Sequence, residues 1–182
     1  MLDRNNTCVL IFNMQNEMVP LLSDSVQVLH NNIWLVDFSS ILGIPIVIFK
    51  HKKLGEFPER LQNVFGSSKV FIKEFFDCTQ EPEFKKYLYN LNVENIVLSG
   101  AETHVCLYQS AIGLQKLGKK PYLLVDSVGS RHEKDHKLAL HRFNYSNIEL
   151  ISQEMFFFEM IRNSEKEEYH DLAMKFLDGR YL

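Results

Sequence analysis

A chain of 182 residues, 46% of them hydrophobic, suffices for one domain with a full core and is short for two, so residues 1–182 are read as a single domain. Lys and Arg number 20 against 23 Asp and Glu, a net charge of −3 with no basic stripe, which argues against nucleic acid as a partner. No stretch approaches the ~18 apolar residues of a membrane span. Three cysteines without paired spacing, Cys8, Cys78 and Cys106, fit a cytoplasmic protein with free thiols.

The first apolar run is too short and too early for a signal peptide. Residues 7–12, TCVLIF, have the near-continuous apolar character of a strand buried on both faces. Helical periodicity follows over 26–42, closed by Gly43. A second strand over 44–49 leads into Lys50-His51-Lys52-Lys53, a basic run read as a solvated loop. Residues 69–72 make a weaker strand, and 82–91 a helix with Pro at its start. Next come a strand over 95–98, a helix over 103–117 closed by Gly118, and a strand over 121–125. Residues 133–143 read as a helix, 148–151 as another weak strand and 165–176 as a last helix. This alternation predicts a parallel sheet of five or six strands with helices on both faces.

In such sheets ligands bind beyond the carboxyl ends of the strands. That rule selects residues 13–15, 49–53, 99–106 and 126–130, and it puts Cys106 at the chemically active edge. A helix N-terminus favours thiolate over thiol through its unpaired N–H groups and dipole. The same groups can hold the oxyanion formed when a thiolate attacks a carbonyl. The plain alternative is a small buried residue at a strand–helix junction.

The segment G-A-E-T-H-V-C at 100–106 resembles the nucleophile segment of the isochorismatase-like cysteine hydrolases. "VLIFNMQNE" is similar to the family's first strand and D-x-Q motif, "FIKEFFDC" to its K-x-x-F-S segment, and "VDSVGSR" to its D-A-x-S-S-R turn. "KLALHRF" and "EMFFFEMI" resemble its closing helix and tail, so the resemblance runs from about Val9 to Ile161. It is nearest to the small, metal-free branch. It implies a Rossmann-like three-layer sandwich with strand order 3-2-1-4-5-6, no cofactor, a small-molecule substrate and a homo-oligomer. It also implies Cys106 as nucleophile, Lys73 as stabiliser of the thiolate, and a cis Ala101–Glu102 peptide aiming the Glu102 and Cys106 N–H groups into one oxyanion hole. Met14, Phe49, Phe75 and Phe76 fall on the segments that would line an apolar substrate site; core packing is the other reading of each.

One position departs from the family. Asn13 stands where the family has its catalytic aspartate, and an amide cannot take up a proton at neutral pH. In serine-protease triads the Asp-to-Asn change costs ~10⁴ in turnover. Glu17 and Glu102 are conceivable substitutes. The reading is therefore a hydrolase of small amides or related carbonyl compounds working through a Cys106 thioester, impaired by Asn13. A non-catalytic, small-molecule-binding or redox-sensing protein on the same fold is the alternative.

Residues 132–136, His-Glu-Lys-Asp-His, satisfy the H-E-x-x-H pattern of zinc hydrolases, with His132 and His136 as ligands and Glu133 as base. The run starts a helix straight after a turn, and only His141 offers itself as a third ligand. A surface helix start with favourable acids in its first turn accounts for it better. Where the family's metal-dependent amidases carry D-x-H-x-x-H, this chain reads Phe49-Lys50-His51-Lys52-Lys53-Leu54, so no metal site is expected there.

Overall fold

The computed structural model describes residues 1–177. Its strands are β1 (Thr7–Phe12), β2 (Ile46–His51), β3 (Lys69–Lys73), β4 (Asn95–Ala101), β5 (Lys120–Gly129) and β6 (Glu149–Ile151). They form one parallel sheet in the order β3-β2-β1-β4-β5-β6. The helices are α1 (Ser25–Ile41), α2 (Glu59–Gln62), α3 (Pro82–Leu91), α4 (Tyr108–Lys116), α5 (Glu133–Tyr145), α6 (Gln153–Ile161) and α7 (Glu167–Phe176).

Two-residue alternation along the strands splits the core in two. Val9, Ile11, Ile46, Ile48 and Val97 face Val36 and Phe38 of α1, Phe156 and Phe157 of α6, and Leu172 of α7. Cys8, Leu10, Phe12, Val47, Phe49 and Leu98 face Phe84 of α3, Ala111 and Leu114 of α4, and Phe143 of α5. All six residues of β1 are buried, as the central strand of a sheet covered on both faces must be. This is the three-layer sandwich expected from the sequence, in the expected strand order.

The differences are local. Residues 153–161 form a helix that hydrophobic periodicity does not reveal, because M-F-F-F-E-M-I is apolar around most of its circumference, with Phe156, Phe157, Met160 and Ile161 all buried. The helix expected over 103–117 is divided. Its first five residues, Thr103–Leu107, form a wider π-turn in which the Leu107 N–H reaches back to the Glu102 carbonyl at 3.3 Å, before α4 begins.

Two main-chain features fix the carboxyl edge around the centre of the sheet. Asn13 leaves β1 with φ of 52°, the left-handed conformation that asparagine tolerates better than most residues. Gly100 pairs with Phe12 across β1 and β4 at φ of 99°. A Cβ at position 100 would lie 2.3 Å from the Phe12 carbonyl oxygen, so only glycine lets the two strand ends approach this closely.

Candidate active site

Three elements deliver three side chains to one point. Asn13 is the first residue beyond β1, Lys73 the last of β3, and Cys106 lies in the π-turn that follows β4. Lys73 shares the strand face of Phe71, whereas Val70 and Ile72 turn outward, and its side chain is fully buried. The Lys73 Nζ stands 3.2 Å from the Cys106 Sγ and donates to the Phe75 carbonyl at 3.1 Å. Asn13 is 3% exposed, and its Nδ2 donates to the Ala101 carbonyl at 2.9 Å and to the Cys106 Sγ at 3.2 Å. A carbonyl oxygen only accepts, so the contact with Ala101 fixes which end of the amide faces the sulfur. The Asn13 Oδ1 is buried and has no partner.

Among the described residues, then, the sulfur has two donors within hydrogen-bond reach and no carboxylate. Neither substitute acid fills the gap. Glu17 is exposed. Glu102 is buried, but its Oε1 accepts from the Arg131 backbone N–H at 3.1 Å and from Arg131 Nε at 3.0 Å. That hydrogen bond in turn raises the pKa of the Arg131 guanidinium. Arg131 was not singled out by sequence reasoning; the only signal for it lay in the VDSVGSR segment.

The Ala101–Glu102 peptide is cis. The π-turn after it is tied to the next layer at two points. Thr103 Oγ1 and His136 Nδ1 are 3.0 Å apart, as are His104 Nδ1 and Ser130 Oγ. His136 is half-buried, and burial lowers its pKa. His132 is the N-cap of α5, with extended backbone, and so stands outside the helix face that carries His136. Glu133 pairs with Lys137 at 2.6 Å.

The four residues expected as apolar lining take different places. Met14 is fully buried in the core on the opposite face of the sheet from Cys106. Phe49 is also fully buried; it stacks on Phe12 at 4.7 Å and meets Phe84 edge-on at 4.8 Å. Phe75 and Phe76 have half-exposed rings and contribute main-chain carbonyls instead, Phe75 to Lys73 and Phe76 to Ser110 Oγ at 3.2 Å. Both residues surface where the edge strand runs out.

The other thiols are sealed off. Burial pushes the Cys8 thiol up to about 12, and pushes Cys78 above the ordinary thiol range. Cys78 is fully buried beneath Ser110, whose Oγ accepts its backbone N–H at 3.0 Å.

Comparison with known proteins places this arrangement in context. Residues 7–155 match the family model described as "Isochorismatase domain". The isochorismatase domain-containing protein 1 of Salmo salar is 30% identical over 141 residues, 76% of this chain and 49% of that protein. The chain thus spans about half the length of that relative. Among solved structures, the MAR1 ribonuclease of Caenorhabditis elegans superposes with a TM-score of 0.90 at 22% identity, covering 97% of this chain and 91% of the other. The YcaC gene product of Escherichia coli, described as an octameric hydrolase of unknown specificity, gives 0.86 at 17% identity over 96% and 95%. At these identities the two structures speak to the fold alone.

Proposed function

The chain belongs to the isochorismatase family, and from that premise we propose that it is a cysteine hydrolase of small amides or related carbonyl compounds, slowed by Asn13. The observation that carries the proposal is a buried sulfur held between the Lys73 ammonium and the Asn13 amide. A cation and an N–H donor both stabilise thiolate over thiol. The thiolate attacks the carbonyl carbon, and the oxyanion is received by the Glu102 and Cys106 N–H groups. Collapse expels the leaving amine and leaves a thioester, which water resolves.

Each half of that cycle needs a proton moved, and Asn13 cannot move one. Its Nδ2 occupies the place of an acid that has already taken the thiol's proton: it donates to the sulfur but has nothing to return. An aspartic acid there would face the Ala101 carbonyl and the sulfur as a donor only while protonated, which is the state it reaches by accepting the thiol proton. Asp and Asn are nearly isosteric, and both tolerate the left-handed backbone of position 13.

The test is hydrolysis of a panel of small amides by wild type, Asn13→Asp, and Asn13→Asp with Cys106→Ala. The expected outcome is poor wild-type turnover and a gain on Asn13→Asp of about tenfold or more that vanishes without Cys106. Robust wild-type turnover that falls on introducing Asp would identify Asn13 as an adapted catalytic residue and overturn the reading.

A second reading is favoured by the same donor geometry. The protein would bind small carbonyl compounds, retaining them as an adduct on Cys106 with little turnover; wild-type thioester detected by intact mass, without release, distinguishes it. We further propose a homo-oligomer in a reducing compartment, consistent with three free thiols.

A further inference from the structure

The Asn13 Oδ1 has no function in the cycle above. It is a buried acceptor without a donor, on a side chain 3% exposed, beside the sulfur that the other end of the same amide contacts. Leaving such a group unpaired is unfavourable, and evolution or packing normally removes it. Its position asks for an O–H or N–H carried by whatever sits on Cys106. Nδ2 of the same planar amide stands 3.2 Å from Sγ, so a hydroxyl carried on the sulfur is the donor to expect for Oδ1.

We infer that Cys106 is a reversible oxidation site for hydroperoxides, whose sulfenic acid is retained by Asn13. The thiolate sulfur attacks one oxygen of hydrogen peroxide, forming the S–O bond as the O–O bond breaks. Sulfur loses two electrons and the peroxide gains them. Hydroxide departs and takes a proton from the Lys73 ammonium to become water, and solvent reprotonates Lys73. The resulting S–O–H donates to Asn13 Oδ1.

Such acids are usually lost to a second thiol or to further oxidation. The second thiols here are Cys8 and Cys78, both fully buried and held protonated by burial, which makes them poor attackers. Further oxidation requires the sulfenic acid to ionise and attack again; a bond from its O–H to Oδ1 holds the proton in place. The oxidised state therefore persists until an external thiol reduces it. This inference rests on the reactive-thiolate half of the proposed function and not on turnover.

The experiment exposes the reduced full-length protein to hydrogen peroxide, then to dimedone, and maps the label by mass. A parallel sample receives iodoacetamide. Dimedone is expected on Cys106, removed by prior dithiothreitol, with Cys8 and Cys78 unlabelled. In Asn13→Gly, which suits the left-handed backbone, the sulfinic acid should accumulate about tenfold faster than in wild type. Asn13→Asp, which keeps an acceptor, serves as the second variant and should slow that loss relative to Asn13→Gly. Passage of the wild type straight to sulfinic acid, a Cys106–Cys78 disulfide, or equal persistence in all three proteins would overturn the inference. Rapid alkylation of Cys106 without any sulfenic acid would sink it while leaving the nucleophile intact, whereas a Cys106 inert to both reagents would remove both.

Discussion

Cys106 is distinguished from the other two cysteines by company more than by exposure. It is 4% exposed, Cys8 and Cys78 not at all, yet among the described residues only Cys106 has a lysine ammonium within hydrogen-bond reach of its sulfur. Iodoacetamide near neutral pH should therefore modify Cys106 alone in the folded protein, as read by mass-mapped labelling over time. Lys73→Met keeps the length of the stem and deletes the charge, so it should slow that alkylation by about tenfold, the equivalent of ~1.4 kcal/mol of lost thiolate stabilisation. Labelling of Cys8 or Cys78 at a comparable rate would mean that the native packing opens. Asn13 and Cys106 were legible in the sequence because they fall on segments beyond the carboxyl ends of apolar strands, whereas Lys73 was reached only through the resemblance of FIKEFFDC to the family's K-x-x-F-S segment. The fates of Met14, Phe49, Phe75 and Phe76 were not. Which face of the sheet a side chain takes, and whether a helix covers it, are set by tertiary packing rather than by residue type.

At the level of elements, the approach of β1 to β4 governs the site. Asn13 follows Phe12, and Ala101 follows Gly100, so the Phe12–Gly100 contact sets how far the Asn13 amide stands from the Ala101 carbonyl. Gly100→Ala places a methyl carbon inside the Phe12 backbone and strains a positive φ. It should cost at least ~2 kcal/mol of stability by denaturant titration, and whatever folds should alkylate at Cys106 more slowly. An unchanged midpoint would show that the strands separate freely. The inner strands were readable because doubly covered strands are nearly continuous apolar runs, whereas β3 and β6 at the sheet edges lack that cover and gave a weaker signal. The π-turn was not, since the i→i+5 bond to Glu102 leaves no mark in side-chain periodicity. α6 was missed for the opposite reason: a helix buried around most of its surface has no amphipathic stripe to detect.

For the molecule as a whole, the sealed thiols make stability depend on pH on the alkaline side. The folded Cys8 pKa of about 12 lies above the ordinary thiol value of 9.0, so between these limits the unfolded chain loses a proton that the folded chain keeps. That contribution to stability is fully present below 9.0 and is lost as pH rises through the window toward about 12. Cys78, shifted in the same direction, adds to it. The denaturant midpoint should accordingly fall on going from neutral pH to the upper part of that window. The fall should be shallower in Cys8→Ala, whatever that variant loses at neutral pH. Equal slopes would assign the alkaline loss to other groups. The pairing of Glu102 with Arg131 has a consequence of another kind, in terms of electroneutrality. With that carboxylate already matched, the Lys73 ammonium is, among the described residues, the charged group within hydrogen-bond reach of Sγ, and a thiolate there would be its counter-ion. Any event that caps the sulfur as a neutral species strands the Lys73 charge in a buried setting. A modification that leaves Cys106 neutral would thus also change the local charge by one unit, to be answered by shedding a proton or drawing in an anion.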